Sequence, residues 1–209
     1  MRKNIFLVHL LCCCALLIGG CGSATSPGAA LFNTVAITAN CATTHIDSDV
    51  ALWMDSNDGD NTCDGYKILP DSLTVTISSE LLPNISDKLS SSSVSIENVR
   101  IDYTPADSYT PSTLDSRSLA LGQVVEAGSN IEITLNVMSV SQKKNSPLND
   151  LLCSPGCPLC VTYDSYKYHA QLTFNAVEIM TGKRADFSTS FDIHVADFFQ
   201  ENEGECCNL

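Results

Sequence analysis

The sequence predicts an all-β fold, a single immunoglobulin-like antiparallel β-sandwich with one short helical insertion. Three observations carry that expectation. The dominant hydrophobic period is two, the mark of strands with one buried and one wet face. The alternating runs are short and are separated by Pro, Gly, Asn and Ser turn signals at fairly even spacing. Only one stretch carries a helix-start signal.

Val35 with Ile37, and the run from Val50 to Trp53, are the first strand candidates. Leu73, Val75 and Ile77 then alternate with Thr74, Thr76 and Ser78. From Val94 to Tyr103 the phase switches, with Val94 and Ile96 on one parity and Val99, Ile101 and Tyr103 on the other. A bulge near Glu97-Asn98 accounts for the switch, because one extra residue moves all later side chains to the other face. Leu119 to Val125 is a further candidate, followed by Ile131, Ile133, Leu135 and Val137 alternating with Glu132, Thr134 and Asn136. Ser139-Val140-Ser141-Gln142 has capping-box spacing, and Pro147 limits the helix that follows. Ala170, Leu172, Phe174 and Ala176, then Phe191, Ile193 and Val195, form the last two strands. Leu82-Pro83-Asn84, Thr104-Pro105, Ala127-Gly128-Ser129 and Thr181-Gly182-Lys183 are the expected turns.

The N-terminus carries an address. Arg2 and Lys3 precede an apolar run from Ile5 to Ile18, and Gly19 and Gly20 precede Cys21. That is the pattern of a secretory signal, and the run is shorter than the roughly twenty residues a bilayer span needs. Ile18-Gly19-Gly20-Cys21 resembles the lipobox of bacterial lipoproteins. The resemblance implies cleavage before Cys21, a diacylglycerol on its thiol and a fatty acyl group, such as palmitate, on the new amino terminus. Gly22 follows where inner-membrane retention would favour Asp, so the resemblance implies an outer-membrane destination. Residues 1–20 thus read as signal peptide, 21–30 as a lipidated flexible tether of small polar residues, 31–199 as the sandwich and 200–209 as an acidic tail with cysteines.

Removing residues 1–20 takes away two of the 11 basic residues and no acid, which leaves 9 Lys and Arg against 24 Asp and Glu, a net charge of −15. Such a balance argues against nucleic acid and against direct contact with anionic lipid headgroups, since both require basic patches. It suits divalent cations, a basic partner or plain solubility.

Asp47, Asp49, Asp55, Asp58, Asp60 and Asp64, with Asn57 and Asn61, crowd oxygen-bearing side chains around Gly59. Calcium takes six to eight oxygens from a turning loop. The stretch Asp55 to Asp64 resembles the calcium loops of thrombospondin type 3 repeats, which makes Asp55, Asn57, Asp58, Asp60 and Asp64 candidate calcium ligands. A solvated loop between strands is the alternative, because Asn, Asp and Gly also satisfy turn geometry alone.

Of the 11 cysteines, Cys41, Cys63, Cys153, Cys157, Cys160, Cys206 and Cys207 lie beyond the lipobox, an odd set in a compartment that permits disulfides. Ser154-Pro155-Gly156-Cys157 fits a type II turn that brings Cys153 near Cys157. Cys41 with Cys63 is the preferred further bridge, and Cys206 and Cys207 supply other partners. Cys157-Pro158-Leu159-Cys160 resembles a thiol oxidoreductase motif, but that chemistry needs a helix start where Val161-Thr162-Tyr163 reads as strand. A soft metal, Cu(I) or Zn(II), is the alternative at these thiols, with His169 or His194 as a conceivable further ligand.

No nucleophile elbow, zinc-protease motif or phosphate loop is present. His45 lies near the acidic run, while His169 and His194 fall on the polar phase of their strands and read as surface residues. The strand order, with Val99-Arg100-Ile101-Asp102-Tyr103-Thr104-Pro105-Ala106-Asp107 and Val195-Ala196-Asp197-Phe198, is similar to sandwich lipoproteins of anaerobic, metal-respiring bacteria. That likeness implies fold and anchoring but no activity. The expectation is a non-enzymatic, lipid-anchored envelope module with an envelope protein as partner, or else a metal-linked accessory protein.

Overall fold

The structure is a computed structural model that describes residues 28–54, 65–83, 85, 92–112, 114–152 and 165–198. Two sheets face each other. The first runs β1 (Ala30–Leu31), β2 (Val35–Cys41), β6 (Asp71–Leu81) and β9 (Asn130–Met138), all antiparallel. The second runs β3 (His45–Asp49), β11 (Arg184–Ala196), β10 (Tyr166–Glu178), β7 (Val94–Pro105) and β8 (Arg117–Val125). A small ribbon of β4 (Leu52–Met54) and β5 (Gly65–Lys67) stands apart. With β2, β6 and β9 in the A, B and E places and β7, β10 and β11 in the C, F and G places, the order is that of an immunoglobulin-like sandwich.

Alternation explains the core. Val75 and Ile77 of β6, Leu135 and Val137 of β9, Leu172 and Phe174 of β10, and Phe191 and Ile193 of β11 are buried between the sheets. Their strand neighbours Thr74, Asn136 and Asp192 stay at least partly exposed. Phe174 and Phe187 stack with ring centroids 5.0 Å apart. The phase switch in β7 is a bulge at Glu97: both neighbouring strands pair with Ile96 and Asn98 and skip the residue between. Val94, Ile96, Val99, Ile101 and Tyr103 therefore all reach the core. The skipped Glu97 turns outward and accepts from both terminal guanidinium nitrogens of Arg184, at 2.6 and 3.1 Å.

The helix forms where the capping box predicts it, as α1 (Val140–Lys144), with the Ser139 hydroxyl accepting from the Gln142 amide and the Gln142 side chain reaching back. A 3-10 turn over Leu148–Leu151 follows Pro147 and docks Leu148 and Leu151 into the core.

In three places the chain departs from the sequence expectation. The sandwich is not wholly antiparallel, because β3 lies parallel to β11. After β2 the chain crosses from one sheet to the other through 42–44 without reversing, and β11 already runs in that direction; parallel pairing is the consequence. The Ala42 amide donating to Thr74 and the Asp192 amide donating to Thr44 mark the two sides of the crossing. Strand pairing also starts before residue 31: Gly28 exchanges backbone hydrogen bonds with Ser188, and Ala30 is buried. Gly28 approaches so closely that a Cβ there would meet the Ser188 hydroxyl at 2.7 Å. Pro105 is the last residue of β7 rather than part of a turn, and the bend falls on 106–110, where Asp107 accepts from the amides of Tyr109 and Thr110.

The two ends of the sandwich differ. One, the hairpin end, holds the tight connections at 32–34, 126–129 and 179–183, the last with Gly182 at φ 69°, together with the longer connection between β6 and β7. The other, the loop end, holds the long connections between β3 and β6, between β7 and β8 and between β9 and β10, and the exit from β11, while the crossing at 42–44 lies beside the middle of β11.

Candidate functional site

β3 and β11 bring three side chains together on the outward face of the second sheet near the loop end. Register places Asp192 beside His45 and His194 beside Asp47. Residues two apart on a strand share a face, so His45 and Asp47 point outward together, as do Asp192 and His194. Asp47 Oδ1 lies 2.9 Å from His45 Nε2 and 3.4 Å from His194 Nδ1. One donor atom from each of the three residues falls within a common span of 4.8 Å. The His45 and Asp47 side chains are 52% and 61% exposed and that of His194 is 26% exposed, so the group opens to solvent on one side. Thr43 fixes the entry to β3, its hydroxyl donating to the His45 carbonyl and accepting from the His45 amide. The His194 ring makes a T-shaped contact with Phe198, with centroids 5.2 Å apart, and its Nε2 is buried with no hydrogen-bond partner among the described residues.

The same face continues onto β10. His169 pairs with Asp192 in register, and its Nδ1 lies 3.0 Å from Asp192 Oδ1. His169, Asp192 and His45 thus form one row across three strands, and Lys167, His194 and Asp47 form the next. All three histidines that follow residue 28 stand in these two rows. The sequence reading of His169 and His194 as outward-facing is right; what it lacked is their neighbours. The signal available was the His-x-Asp spacing of His45 and Asp47, which only a strand converts into a shared face.

Two other polar clusters are structural. Lys143 of α1, 1% exposed, donates to the Asp49 carbonyl at 2.6 Å and to Asp71 Oδ1 at 3.0 Å. Asp71 Oδ2 accepts from the buried Ser48 hydroxyl at 2.5 Å. At the hairpin end, buried Glu178 accepts from the Thr34 hydroxyl and amide, the Asn33 amide and the Thr181 hydroxyl. Burial alone pushes the Glu178 carboxyl up, but the donors from Thr181, Thr34 and Asn33 outweigh it and hold the group below the usual carboxylate range. In the core, desolvation and the neighbouring Tyr166 push the Tyr168 hydroxyl up to about 12.

Asp47 and Asp49, counted in sequence with the Asp-rich loop, are strand residues of β3. Cys41 is a free thiol, so the expected bridge to Cys63 is not made. The reason is direction: Cys41 falls on the inward phase of β2, where its sulfur lies 3.7 Å from the Thr189 hydroxyl of the opposite sheet. Burial raises its pKa, partly offset by that contact. Cys21, Cys63, Cys153, Cys157, Cys160, Cys206 and Cys207 lie outside the described residues, as do Asp55, Asn57, Asp58, Asp60 and Asp64. The described residues that flank these stretches share one end of the fold. Met54 pairs with Gly65 across β4 and β5, Leu152 and Ser165 border residues 153–164, and Phe198 follows β11, all at the loop end.

No family model matches the chain, and no curated sequence is significantly similar to it. Among solved structures, the X-ray structure of Northeast Structural Genomics Consortium target SoR45 is similar over 78% of this chain and 89% of its own, at 10% identity and a TM-score of 0.36.

Proposed function

We propose that this chain is a non-enzymatic, lipid-anchored protein of the bacterial cell envelope that presents the loop end of a β-sandwich to an envelope partner. The observation that carries the reading is the short distance between anchor signal and fold. Ile18-Gly19-Gly20-Cys21 is followed by six residues before Gly28, which is already bonded to Ser188. Seven residue steps span at most about 25 Å, so a lipid on Cys21 holds the domain against the membrane surface. Two or more acyl chains suffice for a stable anchor. The net charge of −15 left after residue 20 supports a partner that is a protein or a cation rather than nucleic acid.

Mass measurement of the mature protein is the test. The expected product begins at Cys21 and carries the mass of a diacylglycerol and an amide-linked acyl chain, and Cys21→Ala moves the protein out of the membrane fraction. A product with an intact leader, or an unlipidated N-terminus, removes the proposal. Crosslinking in intact cells then identifies the partner, with contacts expected at loop-end residues such as Lys167 and Lys144.

A further inference from the structure

We propose that His45, Asp47 and His194 form a binding site for a late first-row divalent metal ion, zinc or copper in class, on the outward face of the β3–β11 pair. None of these three ligands belongs to the Asp55–Asp64 run or to the cysteines, and their arrangement on the sheet does not require an acylated Cys21.

Donor spacing is the first argument. Zinc holds imidazole nitrogen and carboxylate oxygen at about 2.0–2.2 Å, which sets donors of a tetrahedral site about 3.4 Å apart. Asp47 Oδ1 stands 2.9 Å from one imidazole nitrogen and 3.4 Å from the other. The three donor atoms lie within 4.8 Å of one another, so an ion needs only side-chain adjustments to fit between them.

Rigidity is the second. His45 and Asp47 are two apart on one strand, and His194 comes from the hydrogen-bonded neighbour, so the backbone spacing is set by the sheet. Thr43 ties the start of β3 and Phe198 packs on the His194 ring, which limits the freedom that binding would otherwise remove.

Donor chemistry is the third. Two imidazoles and one carboxylate select zinc, copper or nickel over calcium and magnesium, which prefer all-oxygen sets. With three protein donors, at least one coordination position faces solvent beside the exposed His45 and Asp47. The site therefore suits an exchangeable ion or one that a partner's side chain completes. Asp192, one step along the face, is engaged by His169.

The test is titration of the full chain in detergent micelles, with exposed thiols blocked, by Zn2+ in competition with a chromophoric chelator. One equivalent should bind. His45→Ala and His194→Ala should each weaken binding by about tenfold or more, since even residues behind the metal ligands cost that much when changed. Asp55→Ala combined with Asp60→Ala should leave zinc affinity unchanged. His194→Gln, which keeps the packing on Phe198, guards against a folding defect, and circular dichroism should match the parent. Substitution with Co2+ should give weak visible bands and no intense near-ultraviolet thiolate charge-transfer band. Absence of zinc binding in the parent chain, or affinity unchanged in the folded His45→Ala, His194→Ala double variant, overturns the proposal, as does a thiolate band.

Discussion

Replacing Lys143 by Met removes a buried cation that joins α1 to both sheets. Its ammonium, 1% exposed, donates to the Asp49 carbonyl and to Asp71, which also accepts from Ser48. Methionine fills a similar volume, so the loss is electrostatic rather than a cavity. Removing one partner of a buried pair costs about 3–5 kcal/mol, because the remaining charge stays buried without compensation. Asp71 keeps 16% of its side-chain surface and its bond from Ser48, so the lower bound of about 3 kcal/mol applies here. For a domain of this size each kcal/mol shifts the melting temperature by about 2–4 °C, giving a drop of about 6–12 °C. Thermal unfolding followed by circular dichroism reads it directly. Pairing Lys143→Met with Asp71→Leu completes a double-mutant cycle, in which the double variant should cost clearly less than the two single variants added. A single-variant cost below about 1 kcal/mol, or simple additivity, refutes the view that the pair is coupled and desolvated.

Glu178→Gln keeps the shape of the hairpin-end cluster but removes the charge that Thr34, Asn33 and Thr181 solvate, and hydrogen bonds to a charged group contribute about 1.5–3 kcal/mol. A loss of about 2 kcal/mol in urea unfolding is expected, and no loss would show that the cluster is a surface feature. Because the folded Glu178 carboxyl titrates below its ordinary value of 4.5, its contribution is complete above that pH and disappears as pH falls through the lower folded value. Stability of the parent should therefore fall more steeply below about pH 4.5 than that of Glu178→Gln. Cys41, with its raised thiol pKa and its contact to Thr189, should alkylate slowly in native protein and rapidly in denaturant, as read by peptide mass mapping. Fast native labelling at Cys41 would place its sulfur outside the sheet interface.

Where packing dictates residue type, the sequence was readable. The parity change between Ile96 and Val99 located the Glu97 bulge, since every inward position on either side had to remain apolar. Ser139 and Gln142 located α1, because a capping box satisfies donors no other arrangement there would satisfy. β3 was opaque for the opposite reason. Ser48, its one fully buried side chain, is polar, and its partners Asp71 and Met138 come from elements far along the chain. A strand that buries a hydroxyl against a distant carboxylate shows no hydrophobic alternation. Without β3, the neighbours of His194 could not be inferred, and its outward phase looked like ordinary surface. Lys143 was hidden likewise: a helix of five residues is too short for a period that would mark one lysine as inward.

The contrast between the two ends of the sandwich gives the His45–Asp47–His194 group its setting. At the hairpin end Glu178 binds Thr34 and Asn33 before β2 to Thr181 after β10, so short turns from both sheets are locked to one carboxylate. At the loop end, strands instead continue past the layer: Val50 donates to the Ala196 carbonyl, and Asp49 Oδ1 accepts from the Phe198 amide beyond β11. Those two bonds extend the β3–β11 pairing past its last ladder residue and carry Phe198 against His194. The backbone there is held on both strands, while one side of the side-chain group stays open to water. A fixed backbone behind an accessible set of nitrogen and oxygen donors is the condition for binding without prior rearrangement. Among the described residues of the hairpin end no comparable donor set stands open, since the buried Glu178 carboxylate is already saturated by hydroxyl and amide donors.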